Sequence, residues 1–206
     1  SFTEFIIIVS MMLSLVALSI DATLPALPQI GADLNVAAAN DRQLVVSMIF
    51  LGISIGQLIY GPLSDSIGRK RAIYYGYGLY IIGALFSAFT AGFPMMLVGR
   101  FLQGMGVAAP NSVTLALVRD RFEGRQMARV MSFVMTVFIL VPMIAPSLSQ
   151  GILLISSWRG IFLGFVIVAL ATMGWFALRI PETLPPEKHV PFSFQRLLDM
   201  LLEIVR

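Results

Sequence analysis

Residues 44–71 read LVVSMIFLGISIGQLIYGPLSDSIGRKR. From Leu44 to Leu63 there is no charged side chain. An apolar run of that length crosses a ~30 Å hydrocarbon core as a helix rising about 1.5 Å per residue. The run is continuous rather than alternating at period two, which excludes a membrane β-barrel. It ends at Ser64-Asp65-Ser66-Ile67-Gly68, and then Arg69, Lys70 and Arg71 place three cations at one end of the span.

The same pattern repeats on both sides. Phe5 to Ile20 is an apolar run that continues through Asp21 toward Ile30, and Ala72 to Thr90 forms the third. Pro94 to Val118 is interrupted only by Arg100, Val130 to Ile155 carries Pro142 and Pro146, and Ile161 to Leu178 is the sixth. Proline and glycine are tolerated in membrane helices. The first run lacks a basic n-region and a clear A-x-A site, so it reads as a span rather than a signal peptide. The expected fold is all-α, with residues 1–180 forming a six-helix transmembrane domain.

Composition agrees. Of 206 residues, 58% are hydrophobic and 12% charged, about half the charge a soluble domain carries. This rules out a water-soluble globule and a disordered chain. The net charge of +3 sits in short clusters between apolar blocks, which argues against nucleic-acid binding. Cysteine is absent and His189 is the only histidine. No disulfide, thiol nucleophile, multi-His metal site or Ser-His pair within a span is available. Walker A and HExxH patterns are also absent. Gly104 to Ala109 fits a loose G-x-G-x-x-A pattern, but inside an apolar helix that pattern lacks its βαβ context. We therefore expect no enzyme activity, cofactor or metal.

Lysine and arginine placement sets the orientation. Arg69, Lys70, Arg71, Arg119, Arg121, Arg125, Arg129, Arg179, Lys188, Arg196 and Arg206 fall on one side, against Arg42 and Arg159 on the other. Both termini are expected in the cytoplasm. After Ile180, four prolines mark a loop. Phe192 to Val205 then reads as an amphipathic helix, with Phe194, Leu197, Leu198, Leu201, Leu202 and Val205 on one face. It either lies on the membrane surface or begins a linker to a further domain.

Two ionised residues fall inside the spans, where a charge costs about 2.5–3.5 kcal/mol on insertion scales. Asp21 lies about 24 Å along the first span from the inner side, and Arg100 about 21 Å. This match in depth predicts a shared polar cavity between the first and fourth spans. The alternatives are an interfacial Asp21 at a frayed helix end and an Arg100 that donates to backbone carbonyls. Gln103 and Asn111 are candidate polar substrate contacts on the fourth span, or else packing hydrogen bonds. Gly52 with Gly56, Gly104 with Gly106, and Gly160 with Gly164 predict close helix packing.

These residues carry a family resemblance. Gly61-Pro62-Leu63-Ser64-Asp65-Ser66-Ile67-Gly68-Arg69-Lys70-Arg71 resembles the G-x-L-[SA]-D-x-x-G-R-[KR] signature of the major facilitator superfamily. Arg100 to Gly106 resembles that family's R-x-x-Q-G-x-G element, and Asp21 to Pro28 its D-x-x-x-P-x-x-P end of the first helix. With Gly56 to Pro62 and Pro181 to Glu187, the chain looks like the amino-terminal half of a Bcr/CflA-type drug:proton antiporter. Val141 to Pro146 keeps the prolines of the antiporter fifth helix, while Ser149-Gln150 stands where a Gly-Gly pair is expected.

The resemblance implies two inverted three-helix repeats, half of a major-facilitator fold, with 181–206 as a cytoplasmic loop and linker toward a second half. It implies proton-coupled efflux of small hydrophobic, drug-like compounds across the bacterial cytoplasmic (inner) membrane. Its partners would be the substrate, protons, lipid, and a second six-helix half or second copy. Asp21 would bind the proton and Arg100 tune it. Asp65 and Arg69 are four apart, within pairing distance on a helix. With Gly61, Gly68 and Asp120 they would form a conformational gate on the inner side. Pro142 and Pro146 would kink the fifth span. A sugar or nucleoside facilitator of the same superfamily is the alternative, marked by a polar cavity. A non-transporting membrane scaffold is a further one.

Overall fold

The structure is a computed structural model describing residues 2–36, 38–185, 187, 189 and 190. Its helices are α1 (Phe2–Asp21), α2 (Leu27–Asp33), α3 (Leu44–Ile67), α4 (Arg69–Ala88), α5 (Phe93–Arg121), α6 (Gly124–Ile155) and α7 (Trp158–Arg179). The six long helices are the six apolar blocks. The amphipathic segment Phe192 to Val205 lies outside the described residues.

Among the described residues, five segments are long and apolar enough to span a membrane, and they contain all the long helices except α4. The α4 exception has a local cause. It opens on Arg69, Lys70 and Arg71 and carries Tyr74, Tyr75, Tyr77 and Tyr80. Tyr77 and Tyr80 are fully buried, so much of its polarity points into the bundle.

The ends follow from single residues. α1 stops at Asp21, and Pro25 has no N–H to bond the Asp21 carbonyl. A short 3-10 turn over Leu24–Ala26 leads into α2, so the first block is two helices rather than one. Only Gly68 separates α3 from α4, and its φ of 97° lies in the left-handed region open to glycine. α6 runs as one helix through Pro142 and Pro146.

Two inverted three-helix repeats are visible in the packing. Exchanging α1, α3, α4 for α5, α6, α7 turns the α3–α5 contact into α6–α1 and leaves the α1–α5 and α4–α7 contacts in place. α5 sits at the centre. A Cβ at Gly52 would fall on the Phe101 carbonyl of α5, and one at Gly56 would lie 2.8 Å from the Met105 carbonyl. A Cβ at Gly104 would strike the Ile49 carbonyl, and one at Gly106 the Tyr80 backbone. Small residues there set the helix spacing. The expectation fails for Gly164 and holds for Gly160. A Cβ at Gly164 would meet nothing within 4 Å, and Gly160 abuts Ser156 at the end of α6. Sequence spacing alone does not show whether a small-residue pair faces a neighbouring helix.

α2 is tied to the start of α7. Gln29 Oε1 accepts the Trp158 backbone N–H at 3.1 Å, and Asp33 Oδ2 accepts its indole N–H at 2.8 Å. The Arg159 guanidinium lies 4.2 Å from the Trp158 ring centroid and 3.7 Å from Asp33.

Candidate functional site

Arg100 is completely buried on α5. Its Nε donates to the Val45 carbonyl of α3 at 3.1 Å, and one terminal nitrogen donates to the Ser19 carbonyl of α1 at 2.9 Å. The other donates to Gln103 Oε1 at 2.7 Å. The Phe162 ring of α7 lies 5.5 Å away. Ser19 Oγ also bonds Tyr80 Oη of α4 at 2.7 Å. Ser19 is in the last turn of α1, where helical carbonyls lose their N–H partners and a cation is favoured. One guanidinium thus gathers every long helix except α6, directly or through Ser19.

This is the geometry of a buried donor to backbone carbonyls. Asp21 lies two residues beyond Ser19, so the depths of Asp21 and Arg100 agree as the sequence predicts. Yet among the described residues the two form no ion pair. Asp21 is partly exposed. Gln103 is wholly buried and committed to Arg100, while Asn111 is half-buried.

Neither Asp21 nor Arg100 lines the apolar groove between α1 and α6. This groove, of about 350 Å³, is lined by Met11, Leu15 and Leu18 on one wall and Val137, Leu140, Val141, Ile144, Ala145 and Leu148 on the other, with Val168 of α7. Gln103 and Asn111 do not line it. Ser14 is its single polar lining residue, and the Ser14 hydroxyl has no hydrogen-bond partner. Ser14 carries no signal in the sequence, because a serine in an apolar helix usually bonds its own backbone.

At the basic end, Arg69 is buried and joins Asp65 at 2.5 Å, Asp120 at 3.2 Å and Ser64 Oγ at 2.6 Å. The expected partners of Arg69 are brought together from α3, α4 and α5. Gly61 has open space where its side chain would be. Glu182 follows α7 in the proline-marked loop, where no local pattern gives it a role. Its carboxylate accepts the backbone N–H groups of Arg69 and Lys70, both at 3.0 Å, capping α4. It also takes those of Thr183 at 2.9 Å and Leu184 at 3.1 Å. A Cβ at Gly68 would lie 2.7 Å from Glu182 Oε2. Among the described residues no cluster of histidine, aspartate and glutamate could hold a metal ion.

The sequence profile of the Major Facilitator Superfamily matches residues 9–203. The chain belongs to the Major Facilitator Superfamily. Over 178 residues it is 37% identical to the uncharacterized MFS-type transporter YdgK of Bacillus subtilis, covering 85% of this chain and 44% of YdgK. Over 166 residues it is 31% identical to the multidrug resistance protein MdtL of Shigella flexneri, covering 81% of this chain and 42% of MdtL. This superfamily member therefore spans less than half the length of those curated relatives. Its fold is similar to the proton:xylose symporter XylE, with a TM-score of 0.80 at 17% identity, covering 98% of this chain and 49% of XylE. The human organic anion transporter MFSD10 gives 0.75 at 18% identity, covering 97% and 53%.

Proposed function

We propose that this chain is the amino-terminal six-helix half of a Bcr/CflA-type, proton-driven exporter of small hydrophobic or amphipathic compounds in a bacterial inner membrane. Both ends of the half lie in the cytoplasm on this reading. The apolar groove between α1 and α6 carries the proposal. A sugar site needs converging hydrogen-bond partners, whereas this groove offers aliphatic walls and Met11, and the Ser14 hydroxyl behind them is buried. Methionine repacks around varied shapes. The name of MdtL, a multidrug resistance protein at 31% identity, points the same way.

Asp21 takes up the transported proton. Each charge moving down a membrane potential supplies about 2.3 kcal/mol per 100 mV. Arg100 holds the end of α1 in place, so its effect on Asp21 works through the position of the helix. Asp65, Arg69 and Asp120 close the inner side, with Gly68 as the close-approach position against Glu182 and Gly61 facing open space near the end of α3. The open face of α6, the least buried of the candidate spans, meets the second half or a second copy.

The test is transport by the full-length protein in liposomes under an imposed pH gradient. Gradient-driven movement of an amphipathic dye, with no movement of pentose or nucleoside, is expected. Pentose transport without dye transport would overturn the reading.

A further inference from the structure

We propose that the pocket beside the starts of α4 and the end of α7 binds the phosphate of an anionic membrane phospholipid. The pocket is about 680 Å³ and is lined by Lys70, Arg71, Tyr74, Glu182 and His189, among others. Its cationic groups have donors to spare. Lys70 Nζ uses one contact on the Ala177 carbonyl at 2.9 Å and lies 6.0 Å from the Tyr74 ring centroid. Arg71 is exposed and has no acidic partner among the described residues. His189 Nε2 is buried without a hydrogen-bond partner. Glu182 lines the same pocket, but its two oxygens accept four backbone N–H groups and it forms no ion pair with Lys70 or Arg71 among the described residues.

A phosphodiester fits this set. Arg71 offers a planar fork, Lys70 a point charge, and His189 a further nitrogen. What favours lipid over free phosphate is the surface around the pocket. Tyr75 is 63% exposed on α4, and Leu178, next to Ala177, is 85% exposed on α7. Ile82 and Phe86 continue the exposed apolar face of α4, and Ile167 and Leu170 that of α7. Those residues face hydrocarbon once the helices span a bilayer, so a headgroup in the pocket leaves its acyl chains against them. Basic pockets at this level attract anionic headgroups, at about 1 kcal/mol per cation near the surface. Setting the topology requires cations on this side but no pocket, and that distinguishes the two explanations.

The full-length protein in neutral detergent is titrated with phosphatidylglycerol, phosphatidylcholine and inorganic phosphate, and bound molecules are counted by native mass spectrometry. One saturable phosphatidylglycerol site is expected, with phosphatidylcholine and phosphate binding far more weakly. Lys70→Gln with Arg71→Gln should lose about tenfold or more in affinity. Arg125→Gln with Arg129→Gln, the same charge change on α6, should leave it unaltered. Because Lys70 also holds α7, Arg71→Gln with His189→Gln serves as a second variant and should bind more weakly at an unchanged melting temperature. Wild-type affinity in both pocket variants, an equal loss in the α6 variant, or phosphate binding as tight as lipid would overturn the proposal.

Discussion

Lys70 and Arg159 hold matching posts at opposite ends of the helix pair α4 and α7. Each is the second residue of its helix. Lys70 Nζ donates to the Ala177 carbonyl near the end of α7 at 2.9 Å, and Arg159 donates to the Thr90 carbonyl just past the end of α4 at 3.1 Å. The antiparallel pair is thus pinned at both ends by a cation on a terminal carbonyl, where the helix dipole favours it. The inverted repeat reaches down to individual hydrogen bonds.

Removing either pin should loosen the pair. A hydrogen bond from a charged donor contributes about 1.5–3 kcal/mol. Lys70→Met and Arg159→Met should each lower the melting temperature in detergent. Arg159→Met should cost more, because it also gives up Trp158 and the partly exposed Asp33. Equal stability of both variants and wild type would show that the pins are idle.

The glycines separate into two groups with opposite expectations. Gly104→Ala and Gly52→Ala would each push a methyl group into the backbone of the facing helix. Overpacking of this kind typically costs about 1–3 kcal/mol, so both should reduce yield and melting temperature. Gly164→Ala meets open space and should leave both unchanged. A stable Gly104→Ala protein would mean that α3 and α5 are not held at this spacing.

The six spans were readable because their signal is local: unbroken apolar runs with basic clusters at alternate ends. α4 was readable for the same reason, although its buried tyrosines lower its apolarity. The depth of Arg100 was also readable, since depth is only rise times residue number. Its partners were not. The Ser19 carbonyl becomes available because α1 ends at Asp21, and Val45 arrives from another helix. Glu182 reaches α4 across 113 residues, a pairing that no local pattern encodes. The groove escaped notice because aliphatic residues that line a cavity and those that face lipid look alike in sequence.

Glu182 makes its own case. Glu182→Gln replaces one carboxylate oxygen with an amide that cannot accept N–H donors. Loss of a helix cap costs about 0.5–2 kcal/mol. The start of α4 should then exchange its amide hydrogens faster, which hydrogen–deuterium exchange over residues 69–72 would read. Gly68→Ala should have a larger effect, because it adds strain at a φ of 97° to a collision with Glu182. Unchanged protection in both variants would remove Glu182 as the cap.

Asp21 and Arg100 should separate cleanly when each is changed in the full-length transporter. Arg100→Ala leaves a cavity and deprives the Val45 and Ser19 carbonyls and Gln103 Oε1 of a donor at once. Removing one partner from such a buried polar set costs several kcal/mol, so protein level and melting temperature should fall steeply. Arg100→Lys should rescue little, because a point charge cannot reproduce a three-way fork. Asp21 carries no comparable load, since no hydrogen bond or ion pair from its carboxylate is found among the described residues. Asp21→Asn should therefore fold normally and bind a neutral dye, yet fail to move it uphill against a pH gradient. Dye binding by equilibrium dialysis and gradient-driven efflux in liposomes measure the two separately. Full uphill efflux by Asp21→Asn would take the proton away from Asp21. A stable but uncoupled Arg100→Ala would make Arg100 part of the coupling machinery rather than the anchor of α1.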